Sequence, residues 1–114
     1  MIKRRGGFMV KFDDFKKLDI KVGEVLTVEH VPKADKLYVL QVDIGGKQIQ
    51  LVAGLRELYK EDEIKGKKII VLTNLDPVTI KGVRSDGMLL AAVDRDDTSL
   101  LTIDRPIKIG SNIA

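Results

Sequence analysis

The adjacent glycines Gly45-Gly46 constrain the fold of this chain more than any other feature. Polar and apolar residues alternate on both sides of them, over residues 37–44 and 47–53. Alternation with a period of two is typical of a strand, and a Gly-Gly pair suits the tight turn of a hairpin. The sequence therefore predicts two antiparallel strands joined by this turn. The apolar members of the two strands are Leu37, Val39, Val42, Ile44, Ile49 and Leu51.

Three more strands are predicted, at residues 19–30, 67–73 and 88–93. Gly23 interrupts the alternation of the first of them, as a bulge or a barrel bend would. Apolar residues at helical spacing predict a short helix or turn at 55–59, and residues 60–65 are charged and expected to be exposed. Five strands with a short helix between the third and the fourth is the element order of the all-β OB-fold barrel. A sandwich or another small barrel would also use strands of this length.

The N-terminal part of the chain is predicted to be a basic arm followed by the domain. Residues 1–18 carry six cations and two acids, whereas the remaining residues carry 14 cations and 15 acids. We interpret 1–11 as a flexible arm and 12–114 as one domain with added terminal segments. Lys3-Arg4-Arg5 would either contact an anionic partner or form a solvated tail. A helical turn at 13–18 would place Phe12, Phe15 and Leu18 on its inner face.

Catalytic chemistry is poorly supported by the residues of this chain. His30 is the only histidine and there are no cysteines, so histidine pairs and thiolate metal sites are excluded within one chain. The three serines lie outside any nucleophile-elbow pattern, and Gly45-Gly46 lacks the continuation of a phosphate-binding loop. The sequence predicts a binding module without catalytic residues, cofactor or metal. Without cysteines or a long apolar segment, we expect a cytoplasmic protein that makes no membrane contact.

Basic residues in two predicted loops indicate an anionic ligand. Lys33 and Lys36 follow the first strand, and Lys81 and Arg84 lie between the last two. Cations on such loops can contact phosphates. The chain has five aromatic residues, and Tyr38 is the only one in the middle strands, whereas single-strand binders usually offer several stacking platforms. This composition favours a folded RNA recognised by its shape, phosphates and 2′-hydroxyls.

Four ordered stretches resemble one family, the tRNA-binding domain. It occurs as free-standing tRNA-binding proteins and as the β subunit or C-terminal domain of methionyl-tRNA synthetases. The stretches cover residues 15–23, 34–40, 52–55 and 74–92, and include Ala34-Asp35-Lys36-Leu37, Val52-Ala53-Gly54-Leu55 and Lys81-Gly82-Val83-Arg84-Ser85-Asp86-Gly87-Met88. The resemblance implies an OB fold, in agreement with the element order. It also implies a non-catalytic module that binds tRNA with little sequence preference and assists aminoacylation.

The resemblance implies a set of RNA-binding residues in the groove and the last loop: Lys36, Asn74, Lys81, Arg84, Ser85, Gly87 and Met88. Ser85 would donate to a phosphate or a 2′-hydroxyl, or else cap a turn. Gly87 would let the backbone approach closely, and Met88 would pack under a base or into the barrel. Asp76 and Asp86 depart from the family pattern, and we expect these acids to weaken the attraction of phosphate.

The resemblance also implies partners. They are tRNA, a second copy of this chain, and the catalytic chain of a methionyl-tRNA synthetase. Apolar residues near the C-terminus would either pair two copies or close the barrel of one copy; they are Leu100, Leu101, Ile103, Ile107, Ile109 and Ile113. The alternative function is a peptide-binding chaperone or adaptor on the same fold.

Overall fold

A computed structural model describes residues 8–114, so Lys3-Arg4-Arg5 of the predicted arm lie outside the described residues. Within that range the elements are α1 (Phe12–Lys16), β1 (Ile20–His30), β2 (Tyr38–Asp43), β3 (Gln48–Ala53), α2 (Glu61–Ile64), β4 (Lys68–Leu72), β5 (Val78–Ile80), β6 (Val83–Ser85), β7 (Met88–Leu89), β8 (Ala91–Asp94) and β9 (Asp97–Leu100). Neither helix has the length and apolar character needed to cross a bilayer.

Five antiparallel strands form the main sheet in the order β3-β2-β1-β4-β7. The predicted hairpin is confirmed: β2 pairs with β3 from Tyr38–Ala53 to Asp43–Gln48. Gly45 and Gly46 both have positive φ, at 94° and 78°, as a tight two-residue turn requires. The five-stranded antiparallel barrel predicted from the sequence is therefore the observed fold.

The first strand is irregular at a different position from the one predicted. Gly23 is in register opposite Ile69, and the bulge lies between Val25 and Thr27. Gly23 is required for packing, because a Cβ there would lie 2.8 Å from Cγ1 of Val42. A glycine in a strand marks either a bulge or a close approach, and here it marks the close approach.

A short helix lies between β3 and β4 as predicted, at Glu61–Ile64, and the segment 55–59 forms the turn that was the alternative to a helix there. Leu55 is buried in the core without being helical, because residues 55–59 form turns. Ile64 is fully buried although it stands in a charged segment that the sequence predicts to be exposed. One apolar side chain per turn is enough to seat this helix against the barrel, and a single residue gives no periodicity to detect.

Residues 74–87 contain a hairpin, whereas the sequence predicts a loop between two strands there. β5 pairs with β6 around Lys81 and Gly82, whose φ angles are 51° and 80°. This hairpin closes the barrel on the β3 side, where the N–H of Asp86 donates to the carbonyl of Gln50 at 2.8 Å. Gly87 lies in the seam, and a Cβ there would be 2.6 Å from the carbonyl oxygen of Leu72.

The predicted fifth strand divides into two at Leu90. β7 pairs with β4, whereas β8 turns away and pairs with β9. The tail after β9 has no named strand, and its main chain bonds to the start of β1: Gly110 and Ile113 donate to Val22 and Ile20, both at 2.8 Å. Leu100 is in the core, while Leu101 and Ile107 are 41% and 55% exposed. The tail therefore helps to close the barrel of its own chain and leaves some apolar residues exposed.

Candidate nucleic-acid interface

The outer face of β2 and β3 carries a chain of hydrogen-bonded amides. Because Tyr38, Leu40 and Val42 point into the core, Gln41 points outward. Nε2 of Gln48 donates to Oε1 of Gln41 at 3.2 Å, and Nε2 of Gln41 donates to Oε1 of Gln50 at 2.8 Å. We call Gln41, Gln48 and Gln50 the glutamine row. Its amides present donors and acceptors without charge, which suits sugar hydroxyls and base edges.

The β5–β6 hairpin is fastened to this face by polar groups. Nε2 of Gln50 donates to the carbonyl of Arg84 at 2.7 Å. The N–H of Val52 donates to Oγ of Ser85 at 3.0 Å, and that hydroxyl donates to the carbonyl of Gly87 at 3.1 Å. Ser85 is only 3% exposed. Its hydroxyl therefore holds the seam of the barrel, in keeping with the capping alternative, and its contact with RNA stays a prediction.

Lys81 lies at the tip of this hairpin and is exposed. β6 runs opposite to β3 at the seam, because Asp86 meets Gln50 and Ser85 meets Val52. The hairpin tip therefore extends toward the end of β3 at Ala53. The β1–β2 loop lies at the same end, since Tyr38 pairs with Ala53.

The β1–β2 loop exposes Lys33 and Lys36. Arg56, from the turn after β3, holds this loop in place: its N–H donates to the carbonyl of Lys36 at 3.2 Å, and its Nη1 donates to the carbonyl of Ala34 at 3.3 Å. This role could not be predicted from the sequence, because a cation that bonds to carbonyls has the same local pattern as any other surface cation. We call Lys33, Lys36, Lys81 and Arg84 the basic rim.

The cations of the basic rim differ in their partners. Nε of Arg84 pairs with Oδ1 of Asp86 at 2.5 Å. Among residues 8–114, Lys33, Lys36 and Lys81 have no acid within salt-bridge distance. Three lysines without a protein counter-charge are thus available to an anion.

The remaining predicted site residues have other surroundings. Asn74 ties the start of the segment to the N-terminal side of the barrel: its Oδ1 accepts from the N–H of Asp19 at 2.9 Å and its Nδ2 donates to the carbonyl of Lys17 at 2.7 Å. Both ends of this exposed amide are engaged within the chain, and its contact with RNA stays a prediction. Gly87 is buried in the barrel seam, and Met88 is exposed on β7 opposite Leu72.

Tyr38 is not a stacking platform. It is 3% exposed, and its hydroxyl donates to the carbonyl of Tyr59 at 2.7 Å. The outer face of β2 and β3 in the described chain therefore offers amides, aliphatic groups and the carboxylate of Asp43, but no aromatic ring. Sequence-tolerant stacking of single-stranded bases needs such rings.

The titratable side chains of the described residues bear on whether a metal site is present and on what surrounds His30. Residues 8–114 contain no group of three or more histidine, cysteine, aspartate or glutamate side chains that could hold a metal. His30 forms an exposed pair with Glu61 and lies beside the ring of Tyr38. The pair with Glu61 joins α2 to the end of β1, and the contact with Tyr38 joins β1 to β2.

Comparison with known protein families shows to which of them this chain belongs. The family described as "Putative tRNA binding domain" matches residues 20–112. The chain belongs to this tRNA-binding domain family. It is 44% identical to the methionine–tRNA ligase of Thermococcus onnurineus over 113 residues, which are 97% of this chain and 15% of that protein. The chain thus spans about 15% of the length of the curated relatives it matches.

Solved structures of this tRNA-binding domain fold agree closely with the barrel. A methionyl-tRNA synthetase related protein from Pyrococcus horikoshii is 31% identical, with a TM-score of 0.89 over 95% of this chain and 100% of that one. A CsaA chaperone from Picrophilus torridus is 34% identical, with a TM-score of 0.85 over 93% of this chain and 100% of that one. The same barrel is thus shared by a synthetase-related protein and a chaperone.

Proposed function

We propose that this chain is a non-catalytic tRNA-binding module that assists a methionyl-tRNA synthetase. It would do so as a β subunit, as a domain of the synthetase, or as a free tRNA-binding protein acting in the cytoplasm. The observation that carries the proposal is the basic rim beside the glutamine row. Lysines without protein counter-charges stand at one end of a face that presents uncharged donors and acceptors, and the similarity to methionine–tRNA ligases supports the choice of ligand.

The proposed binding mode is recognition of RNA shape. Lys33, Lys36 and Lys81 would contact phosphates, and the glutamine row would meet sugar hydroxyls and exposed base edges. The burial of Tyr38 supports this mode, because it leaves the face without a ring on which bases could stack. Little sequence preference is the expected consequence, since phosphates and sugars are the same in every nucleotide.

A second copy of the chain is part of the proposal. The sequence predicts that Phe12, Phe15 and Leu18 form an inner face, but α1 contains no buried residue. The rings of Phe12 and Phe15 stack at 6.4 Å between centroids and are 71% and 38% exposed. An exposed aromatic pair on a short helix is suited to a protein interface. We propose that α1, together with the exposed tail residues Leu101 and Ile107, pairs two copies and so places two basic rims in one particle.

The test is a titration of the purified protein with bulk tRNA at several salt concentrations. Contacts to phosphates release counterions, so the affinity should fall steeply as the salt concentration rises. Replacing Lys81 with alanine should reduce the slope of log affinity against log salt by about 1, the contribution of one phosphate contact. Lys47→Ala is the matched control, because Lys47 is an exposed lysine beside the glycine turn, at the opposite end of β2 and β3. Absence of any mobility shift at low salt would refute the proposal.

The alternative function is a peptide-binding chaperone, and the similarity to CsaA favours it as the second candidate. A peptide held by apolar contacts and main-chain hydrogen bonds would bind with little dependence on salt. Binding of an unfolded polypeptide that persists at high salt, in a protein that fails to shift tRNA, would select the chaperone.

A further inference from the structure

Arg84 and Asp86 form a pair whose geometry bears on how the basic rim holds its ligand. The sequence predicts that Asp86 weakens the attraction of phosphate, because it places a negative charge beside a cation. In the structure the carboxylate bonds to Nε of Arg84, at the base of the guanidinium group. The two Nη groups at the outer end make no ion pair within residues 8–114, and the Arg84 side chain is 64% exposed.

The main chain on both sides of Ser85 is fixed by Gln50. The side-chain amide of Gln50 donates to the carbonyl of Arg84 at 2.7 Å. The main-chain carbonyl of Gln50 accepts from the N–H of Asp86 at 2.8 Å. Gln50 is in turn held by Gln41. Arg84 and Asp86 are therefore attached to the barrel through the same residue, and the carboxylate has a defined position from which to bond to Nε.

We infer that Asp86 is a positioning residue for Arg84, and that it strengthens the binding of the anionic ligand. The carboxylate holds the base of the guanidinium group and leaves both Nη groups directed away from it. A planar guanidinium presents two parallel N–H groups to one phosphate, and holding it in advance removes ordering cost from the binding step. This inference rests on the proposed function, with the RNA phosphate as the group that Arg84 meets.

A simple charge effect and a positioning effect predict opposite changes in the affinity for tRNA when Asp86 is removed. If the carboxylate acts only as a negative charge, removing it should tighten the binding of tRNA. If it positions Arg84, removing it should weaken binding, even though the protein becomes more positive. The ordering cost of one long side chain corresponds to a factor of about twofold to tenfold in affinity.

The experiment compares Asp86→Ala with Asp76→Ala in a titration with bulk tRNA. Asp76 is the matched control, because it is exposed in the same segment and forms no ion pair within the described residues. Asp76→Ala should tighten binding by up to about twofold, as expected for one screened surface charge. Asp86→Ala should weaken it by about twofold to tenfold. Tighter binding by both variants would overturn the inference and leave the proposed function intact.

A second background separates positioning of Arg84 from a change in the hairpin. Arg84→Lys keeps the positive charge but removes the Nε–H that donates a hydrogen bond to Asp86. In this background Asp86→Ala should tighten binding slightly, as Asp76→Ala does, because only its charge remains relevant. Weakening by the same factor in both backgrounds would show that Asp86 acts through the hairpin and would overturn the inference. Failure of the wild-type protein to bind tRNA is the separate outcome that refutes the proposed function.

Discussion

The basic rim and the outer surface of α1 are both exposed, but they are built in opposite ways. The basic rim stands on strands and turns whose main chain is fixed by Gln50, Ser85 and Arg56. The surface of α1 consists of the rings of Phe12 and Phe15 on a helix of five residues with no buried side chain. Phosphates require charges in fixed positions, whereas an apolar surface gains free energy from any close contact that removes water. The difference indicates that the two regions serve different partners.

The largest expected effect is on the pairing of two copies of the chain, which should depend on α1 and not on the basic rim. Phe12→Ser with Phe15→Ser should weaken pairing of the chain by about 3 kcal/mol or more, since each fully buried Phe side chain contributes roughly 1.5–3 kcal/mol. Sedimentation equilibrium would measure this, with Leu58→Ser as a control for loss of an exposed apolar residue elsewhere. A dimer that persists in the double variant, or a wild-type protein that is monomeric, would remove α1 from the interface.

The next effect concerns the attachment of the hairpin. Ser85→Ala leaves the N–H of Val52 without its acceptor, and an unsatisfied buried donor costs about 1–3 kcal/mol. Chemical denaturation should therefore show a lower free energy of unfolding. Ser99→Ala is the control, because Ser99 is an exposed serine on β9. Unchanged stability accompanied by loss of tRNA binding would return Ser85 to the RNA contact that the sequence predicts.

A smaller effect is expected at the basic rim itself. Lys36→Ala with Lys81→Ala should weaken tRNA binding by about tenfold at moderate salt, and the salt slope should fall by about 2. The dimer should be unaffected, which is the reverse of the result for the phenylalanines. Equal loss of binding in a double variant of two distant lysines, Lys47 and Lys108, would mean that net charge rather than the rim attracts the RNA.

The smallest effect is at Asn74, which connects the two regions. Asn74→Ala removes two exposed hydrogen bonds to the segment after α1 and should lower the free energy of unfolding by about 1 kcal/mol. The salt slope of tRNA binding should not change, because the amide carries no charge and both of its ends are bonded within the chain. A reduced slope in this variant would show that Asn74 is released from Asp19 and Lys17 to meet the RNA.

The barrel could be predicted because its main strands have a sequence pattern that is visible within each segment. The alternation in β2 and β3 and the glycines between them depend only on neighbours along the chain. The helix at Glu61–Ile64 could not be placed, because Ile64 is the one buried residue in a charged segment. The hairpin at residues 78–85 was equally hidden: its strands have three residues each, and its turn uses Lys81 in a conformation that non-glycine residues seldom adopt.

The candidate site divides in the same manner. Lys36, Lys81 and Arg84 are exposed cations, as the sequence predicts, and their contact with RNA stays a prediction. Ser85, Gly87 and Asn74 belong to the same motif but have internal partners. A motif does not distinguish a residue that contacts a ligand from one that holds the contacting residue in place, since binding depends on both.

The sequence by itself determined the antiparallel barrel, the family, and the two segments that carry the exposed cations. These follow from alternation, turn chemistry and motif order, all of which are local along the chain. Only the tertiary structure decided that Ser85 is buried, that Gln50 clamps both sides of it, and that Asp86 bonds to Nε of Arg84. The first two depend on the meeting of β3 with β6, which are more than 30 residues apart, and the third joins two neighbouring residues whose main chain Gln50 holds. Whether a side chain bonds within the fold or remains available to a ligand depends on which groups lie near it in space. The order of residues along the chain does not show this.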